Sequence, residues 1–153
     1  MTRRSRAREV ALQLLFQKDQ NPKPISRKAI EKFARDRLIR DGDAVEFCLR
    51  IYDEVLSNQA AIDASISATA ENWRINRMLP VDRNLLRIGT YEMIHAAEPT
   101  PPAVAIDEVI ELARRYGSAD SPGFVNGILD KIIKKKQAAP PVPTPAEPVA
   151  AAE

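Results

Sequence analysis

Between Asp43 and Asn58 the apolar residues Phe47, Cys48, Ile51, Tyr52, Val55 and Leu56 recur at i, i+1, i+4, i+5, i+8 and i+9. Only an α-helix places all six on one face, because its 3.6-residue turn stacks residues three and four apart. The same period returns along most of the chain. Ala7, Val10, Ala11, Leu14 and Leu15 form one stripe, and Ile30, Phe33, Ala34 and Leu38 a second. Ile62, Ile66 and Ala70 carry a shorter one, followed by Leu85, Leu86, Ile88, Gly89 and Met93. Ala105, Val109, Leu112, Ala113 and Tyr116 come next, then Phe124, Val125, Ile128, Leu129, Ile132 and Ile133. No stretch sustains the period-two alternation of a strand, so no Asn-Gly or Asp-Gly pair sits between strand-like runs as a hairpin turn. The pattern predicts an all-α fold of about seven helices.

Local chemistry sets the boundaries. Asn21, Pro22 and Pro24 stop the first helix, and Ser26 is a good N-cap for the second. Asp41-Gly42 ends the second, and Asp43 with Glu46 resembles a capping box that opens the third. Pro80 reads as a helix-start proline, Glu98 to Pro102 as a proline-rich loop, and Gly117 as the residue just past the sixth helix. Ser121-Pro122 opens the seventh. Residues 138–153 are almost all Ala, Pro, Val, Glu and Thr, a composition that predicts a disordered tail. Residues 1–137 remain as one helical domain, long enough to bury a substantial core without a disulfide or metal staple.

Net charge is only +2, but it is unevenly spread. Arg3, Arg4, Arg6 and Arg8 crowd the start, and Lys134, Lys135 and Lys136 crowd the end of the last apolar stripe. Cations at a helix N-terminus oppose the macrodipole, so helix stability alone does not favour that placement. Guanidinium groups offer a planar fork for phosphate and a flat face for stacking on bases. Four of them on one strand's phosphates give a salt slope of about −2.8. The competing reading is a frayed, solubilising terminus. A second basic run, Arg27, Lys28, Lys32, Arg35, Arg37 and Arg40, includes Glu31–Arg35 and Lys32–Asp36 at i,i+4 spacing and reads as a solvated face. Phe124 is either a core residue or a stacking platform beside a helix N-terminus, and Phe16 has the same two readings. Asp120 is either a cap or an acceptor for a base edge.

Catalysis finds little support. Asp107, Glu108 and Glu111 fall in the early turns of their helix, with Glu111 four before Arg115, so structural use is expected. His95 is the only histidine, and no metal-ligand spacing or cofactor-binding loop occurs. Cys48, the only cysteine, lies in an apolar stripe and reads as an inert core thiol. Gly123 and Gly127, four apart, suggest close helix packing. No apolar run reaches the ~20 residues of a membrane span, and the single cysteine fits a reducing cytoplasm.

Four stretches resemble the NusB family of bacterial transcription antitermination factors: RRSRAREVALQLLFQ at 3–17, VDRNLLRIGTYEM at 81–93, AIDEVIELARRYG at 105–117 and FVNGILDKI at 124–132. Their order and spacing match as well. The resemblance implies seven helices in two packed helical subdomains. It also implies binding of boxA-type single-stranded RNA and a heterodimer with NusE, a small-subunit ribosomal protein. Assembly with other Nus factors on RNA polymerase then suppresses termination. Carried over position by position, it assigns Arg4, Arg6, Arg8, Phe16, Asp120 and Phe124 to the RNA face and Asp82 to the NusE contact. Ser5 stands where some members have another arginine, and Phe16 replaces a tyrosine seen in some members. The resemblance leaves open a homodimer of the free protein. Two other readings stay open: a helical protein–protein adaptor that binds no RNA, and a lone module related to the N-terminal domain of some ribosomal RNA methyltransferases.

Overall fold

The computed structural model describes residues 2–138; of the predicted tail 138–153, Ala138 closes the last helix instead, and the rest lies outside the described residues. Seven α-helices are present among them. They are α1 (Arg3–Gln20), α2 (Arg27–Arg37), α3 (Gly42–Ser57), α4 (Gln59–Thr69), α5 (Pro80–Thr90), α6 (Pro102–Tyr116) and α7 (Ser121–Ala138). A 3₁₀ turn, Ile75–Arg77, precedes α5, and a π-helical turn, Tyr91–His95, follows it. No helix among the described residues is long and apolar enough to cross a membrane.

The helix starts follow from capping. Thr2 accepts the Ser5 N–H at 3.0 Å to open α1, and Ser26 accepts from Ala29 at 3.2 Å to open α2. The third start differs from expectation. Asp41, not Asp43, is the cap of α3, taking the Ala44 N–H at 3.1 Å. Gly42 therefore lies inside α3 rather than ending α2. Pro80 and Pro102 occupy first-turn positions of α5 and α6, where a missing N–H costs nothing.

Packing forms two groups, α1–α3 and α4–α7, joined where α1 lies against α5. One continuous apolar core runs through both. The predicted α1 stripe is buried in full. α5 is the central helix: Asn84 to Thr90 are all buried because α1, α4, α6 and α7 surround it. Gly89 faces α7 so closely that a Cβ there would stand 2.7 Å from Leu129 Cδ1.

Other glycine expectations need revision. Gly117 has an extended backbone (φ −92, ψ −174), not a left-handed one. Space requires glycine there, since a Cβ would meet Ser121 Oγ at 2.5 Å and the Ala113 carbonyl at 2.8 Å. Gly123 and Gly127 have nothing within 4 Å of a Cβ, so neither mediates close packing among the described residues. Tyr116 is 40 % exposed and leaves the α6 stripe. Cys48 is fully buried, and desolvation pushes its thiol up to about 12, as an inert core residue requires.

Candidate nucleic-acid interface

The four N-terminal arginines each have a different fate, set by their angle on α1. Arg3 points out, 77 % exposed, with its Nε 3.2 Å from Asp41. Arg4 lays its guanidinium 4.6 Å from the centre of the Phe47 ring, the approach expected of a cation–π contact. Arg6 is exposed and makes no ion pair among the described residues. Arg8 falls three residues before Ala11, on the side that faces the core. It is 3 % exposed. Its Nε lies 2.8 Å and its Nη2 2.7 Å from the Glu92 carboxylate, and its Nη1 is 3.6 Å from Glu108. Arg8 is therefore a correction to the expected RNA face: its fork is already filled by carboxylate, and its cationic edge is closed to solvent.

Glu92 was not legible as a functional partner in the sequence. It sits in the π-helical turn and takes a further hydrogen bond from the Thr100 hydroxyl at 3.0 Å. Its one signal is an acid inside the apolar run LLRIGTYEM, which demands an opposite charge somewhere in the core.

A second cluster lies at the other end of α1. Asp19 there accepts from Arg83 at 2.6 Å and from Asn84 at 3.0 Å, which ties α1 to the start of α5. Beside the start of α5 is a cavity of about 420 Å³ whose lining includes Trp73, Arg77, Asp82, Asp120 and Phe124. Trp73 is 58 % exposed and meets Phe124 edge-on, with ring centres 5.7 Å apart and planes at 75°. Phe124 is half-buried: it packs against the core and also lines the cavity. Both sequence readings of Phe124 thus hold in part. Asp120 is exposed and immediately precedes α7, where its carbonyl accepts the Phe124 N–H at 3.0 Å. Trp73 was not singled out from the sequence, because it follows α4 in an irregular stretch with no period to mark it.

Asp82 is 5 % exposed, with Oδ1 buried and lacking a hydrogen-bond partner. That placement corrects the expected open contact with a protein partner, because the carboxylate belongs to the cavity lining. Burial pushes its carboxyl above the ordinary carboxylate range, partly offset by the Ser121 hydroxyl. With the folded value above the unfolded one, the neutral acid favours folding at low pH. That contribution is lost as pH rises through the folded value. Asp82→Asn should therefore leave the melting midpoint unchanged near about pH 3 and raise it at neutral pH. A midpoint at neutral pH equal to or below that of the natural chain would contradict this account.

The two clusters do not share a pocket. Arg4 and Asp19 are separated by about 22 Å along α1, at 1.5 Å per residue. Phe16 lies between them, 38 % exposed, on the same helical line as Ser5 and Glu9. That line runs beside α6, with Ser5 Oγ 2.7 Å from Glu108 and Arg115 2.7 Å from Glu9. Glu111 pairs with Arg114 at 3.0 Å. A cavity of about 510 Å³ here is lined by Asp107, Glu108 and Glu111 against the single cation Arg115, an acidic balance that does not suit a polyanion. On the second basic helix, Lys32–Asp36 at 2.5 Å and Glu31–Arg35 at 3.9 Å pair as their spacing predicts.

The sequence pattern of the NusB family matches residues 5–134. The chain belongs to the NusB family. A relative described as transcription antitermination protein NusB, from Bdellovibrio bacteriovorus, is 41% identical over 134 residues, covering 88% of this chain and 97% of that protein. NusB of T. maritima superposes with a TM-score of 0.70 at 35% identity, over 86% of this chain and 91% of that one. A crystal structure of antitermination factors NusB and NusE with double-stranded RNA superposes with a TM-score of 0.76 at 26% identity, over 88% and 98% of the two chains. NusB membership agrees with the helix count and order. The matched stretch holds Arg6, Arg8 and the Trp73–Phe124 cavity, while Arg3 and Arg4 precede it.

Proposed function

We propose that this chain is a non-enzymatic transcription antitermination factor that binds boxA-type single-stranded RNA together with a NusE-type ribosomal protein. The observation that carries the reading is the pairing of an exposed aromatic cavity with a group of outward arginines, one at each end of α1. Trp73 and Phe124 offer faces on which unpaired bases stack. Asp120 accepts from an exocyclic amino group. Arg3, Arg4 and Arg6 neutralise phosphates at the other end of α1, about 22 Å along the helix from Asp19, a length of roughly six stacked nucleotides at 3.4 Å each. Arg8 holds α1 in place from beneath. In the cytoplasm, this unit joins other Nus factors on RNA polymerase and helps it read through terminators.

Family membership supports antitermination, and the solved NusB–NusE–RNA complex supports the two partners. That complex holds a duplex; the preference for a single strand rests on the aromatic faces, which a duplex's stacked bases do not reach. Titration with single-stranded boxA-type, scrambled and duplex RNA, each with and without NusE, tests the reading. Tightest binding to the boxA-type single strand, strengthened by NusE, is expected. Equal binding of the scrambled strand, or preference for the duplex, would defeat it.

A further inference from the structure

A cleft of about 370 Å³ opens between the start of α1 and the turn from α2 to α3, and it has no role in the reading above. Arg3, Arg6 and Arg37 line it with Leu38, Ile39 and Asp41. The connecting turn has two unusual features. Arg40 adopts a left-handed backbone (φ 59), which costs a non-glycine residue free energy. Ile39 is 72 % exposed, a large aliphatic side chain turned outward while its neighbour Leu38 is 5 % exposed. Helix packing needs only Leu38; it explains neither feature.

Charge decides what the cleft fits. Arg37 lays its guanidinium on the Phe33 ring, 3.4 Å from its centre, and forms no ion pair among the described residues, so its N–H edge stays available to an anion. Arg6 is likewise unpaired. Asp41 is the one acid in the lining, and it is occupied by Arg3 at 3.2 Å and by the Ala44 N–H at 3.1 Å. Two guanidinium groups without a carboxylate partner among the described residues thus line the cleft with an outward aliphatic side chain. That combination suits a sugar–phosphate chain, with phosphate on the arginines and a ribose or base face against Ile39.

We propose that this cleft holds RNA flanking the boxA-type element, so that the strand continues past Arg3 and Arg6 onto Arg37 and Ile39. The inference rests on the RNA reading of the preceding section and extends its path. Continuity favours RNA over an acidic protein segment, because Arg3 and Arg6 line the cleft and also belong to the proposed phosphate track. Arg37 supplies the added phosphate contact, and Ile39 supplies the apolar floor.

The test uses the full chain and two single-stranded RNAs, a boxA-type element alone and the same element extended by several nucleotides at either end. For one of the two extensions, the longer RNA should bind more tightly, with a salt slope steeper by about 0.7 for the phosphate at Arg37. The advantage of that RNA should shrink roughly three-fold between about 50 and 200 mM salt. Arg37→Ala should abolish the extra slope while leaving the short RNA unaffected, and Arg37→Lys should restore most of it. If the short RNA binds but neither extension adds affinity, or if Arg37→Ala binds the longer RNA as the natural chain does, the proposal fails by itself. An acidic protein partner would then be the better occupant. If neither RNA binds at all, the underlying RNA reading fails with it.

Discussion

Replacing Glu92 with alanine should destabilise the protein by about 3–5 kcal/mol, because it strands the Arg8 guanidinium in the core. The Arg8 and Glu92 side chains are 4 % and 2 % exposed, so water cannot take over for the lost carboxylate. Glu108 remains at 3.6 Å but is farther away and itself 24 % exposed, which puts the loss near the lower end of that range. For a chain of this length, the melting midpoint should fall by about 10 °C or somewhat more. Thr100 also loses its side-chain acceptor, which loosens the loop before α6. A double variant, Arg8→Met with Glu92→Leu, removes both charges and should recover most of the loss, since a buried ion pair gains little over packed apolar groups. Thermal and urea unfolding check both outcomes. A loss under about 1 kcal/mol for Glu92→Ala would mean that Arg8 is not committed to the core. The double variant should also keep its RNA affinity, because Arg8 holds α1 in place and does not touch the strand.

The combined Arg3→Ala, Arg4→Ala and Arg6→Ala variant should lose most of the salt-dependent part of RNA binding. Three phosphate contacts on a single strand contribute about −2.1 to the slope of log affinity against log salt. The natural chain should therefore bind roughly 20-fold more weakly at 200 than at 50 mM salt through these contacts, and the variant should lack that component. Stability should change little. Arg3 is exposed and its pair with Asp41 is a surface pair of small worth. Arg4 loses a contact with Phe47, and Arg6 loses no ion pair among the described residues. Circular dichroism distinguishes the cases: lost binding with full helicity supports the phosphate track, and an unchanged salt slope rejects it.

Much of the fold is written in the sequence because each helix repeats its apolar period several times between proline, glycine or polar stops. The α1 stripe and the core of α3 follow from that periodicity alone. Single residues at helix ends are harder to read. Asp41 and Asp43 are both good caps, and only the path of the turn decides that Asp41 takes the Ala44 N–H. Gly117 marks the end of α6 correctly but for want of space, a reason that depends on Ser121 across the turn.

The site is less legible for the same physical reason: its parts are distant along the chain. Arg3, Arg4, Arg6 and Arg8 look equivalent in a list of residues. Their difference comes from Glu92, far along the sequence, and from the 100° per residue that turns Arg8 inward. Phe124 and Asp120 could be found from their place beside a helix start. Trp73 could not, since the contact that gives it meaning is with a residue on α7.

The central claim is that bases stack in the Trp73–Phe124 cavity while phosphates meet the arginines at the far end of α1. Titrating the full chain and its Trp73→Ala variant with single-stranded boxA-type RNA, at about 50 and 200 mM salt, tests it most directly. Loss of one stacking face should weaken binding by roughly 5- to 150-fold, equally at both salts, because stacking carries about 1–3 kcal/mol and releases no counterions. Equal affinity of the two proteins for that RNA would contradict the claim.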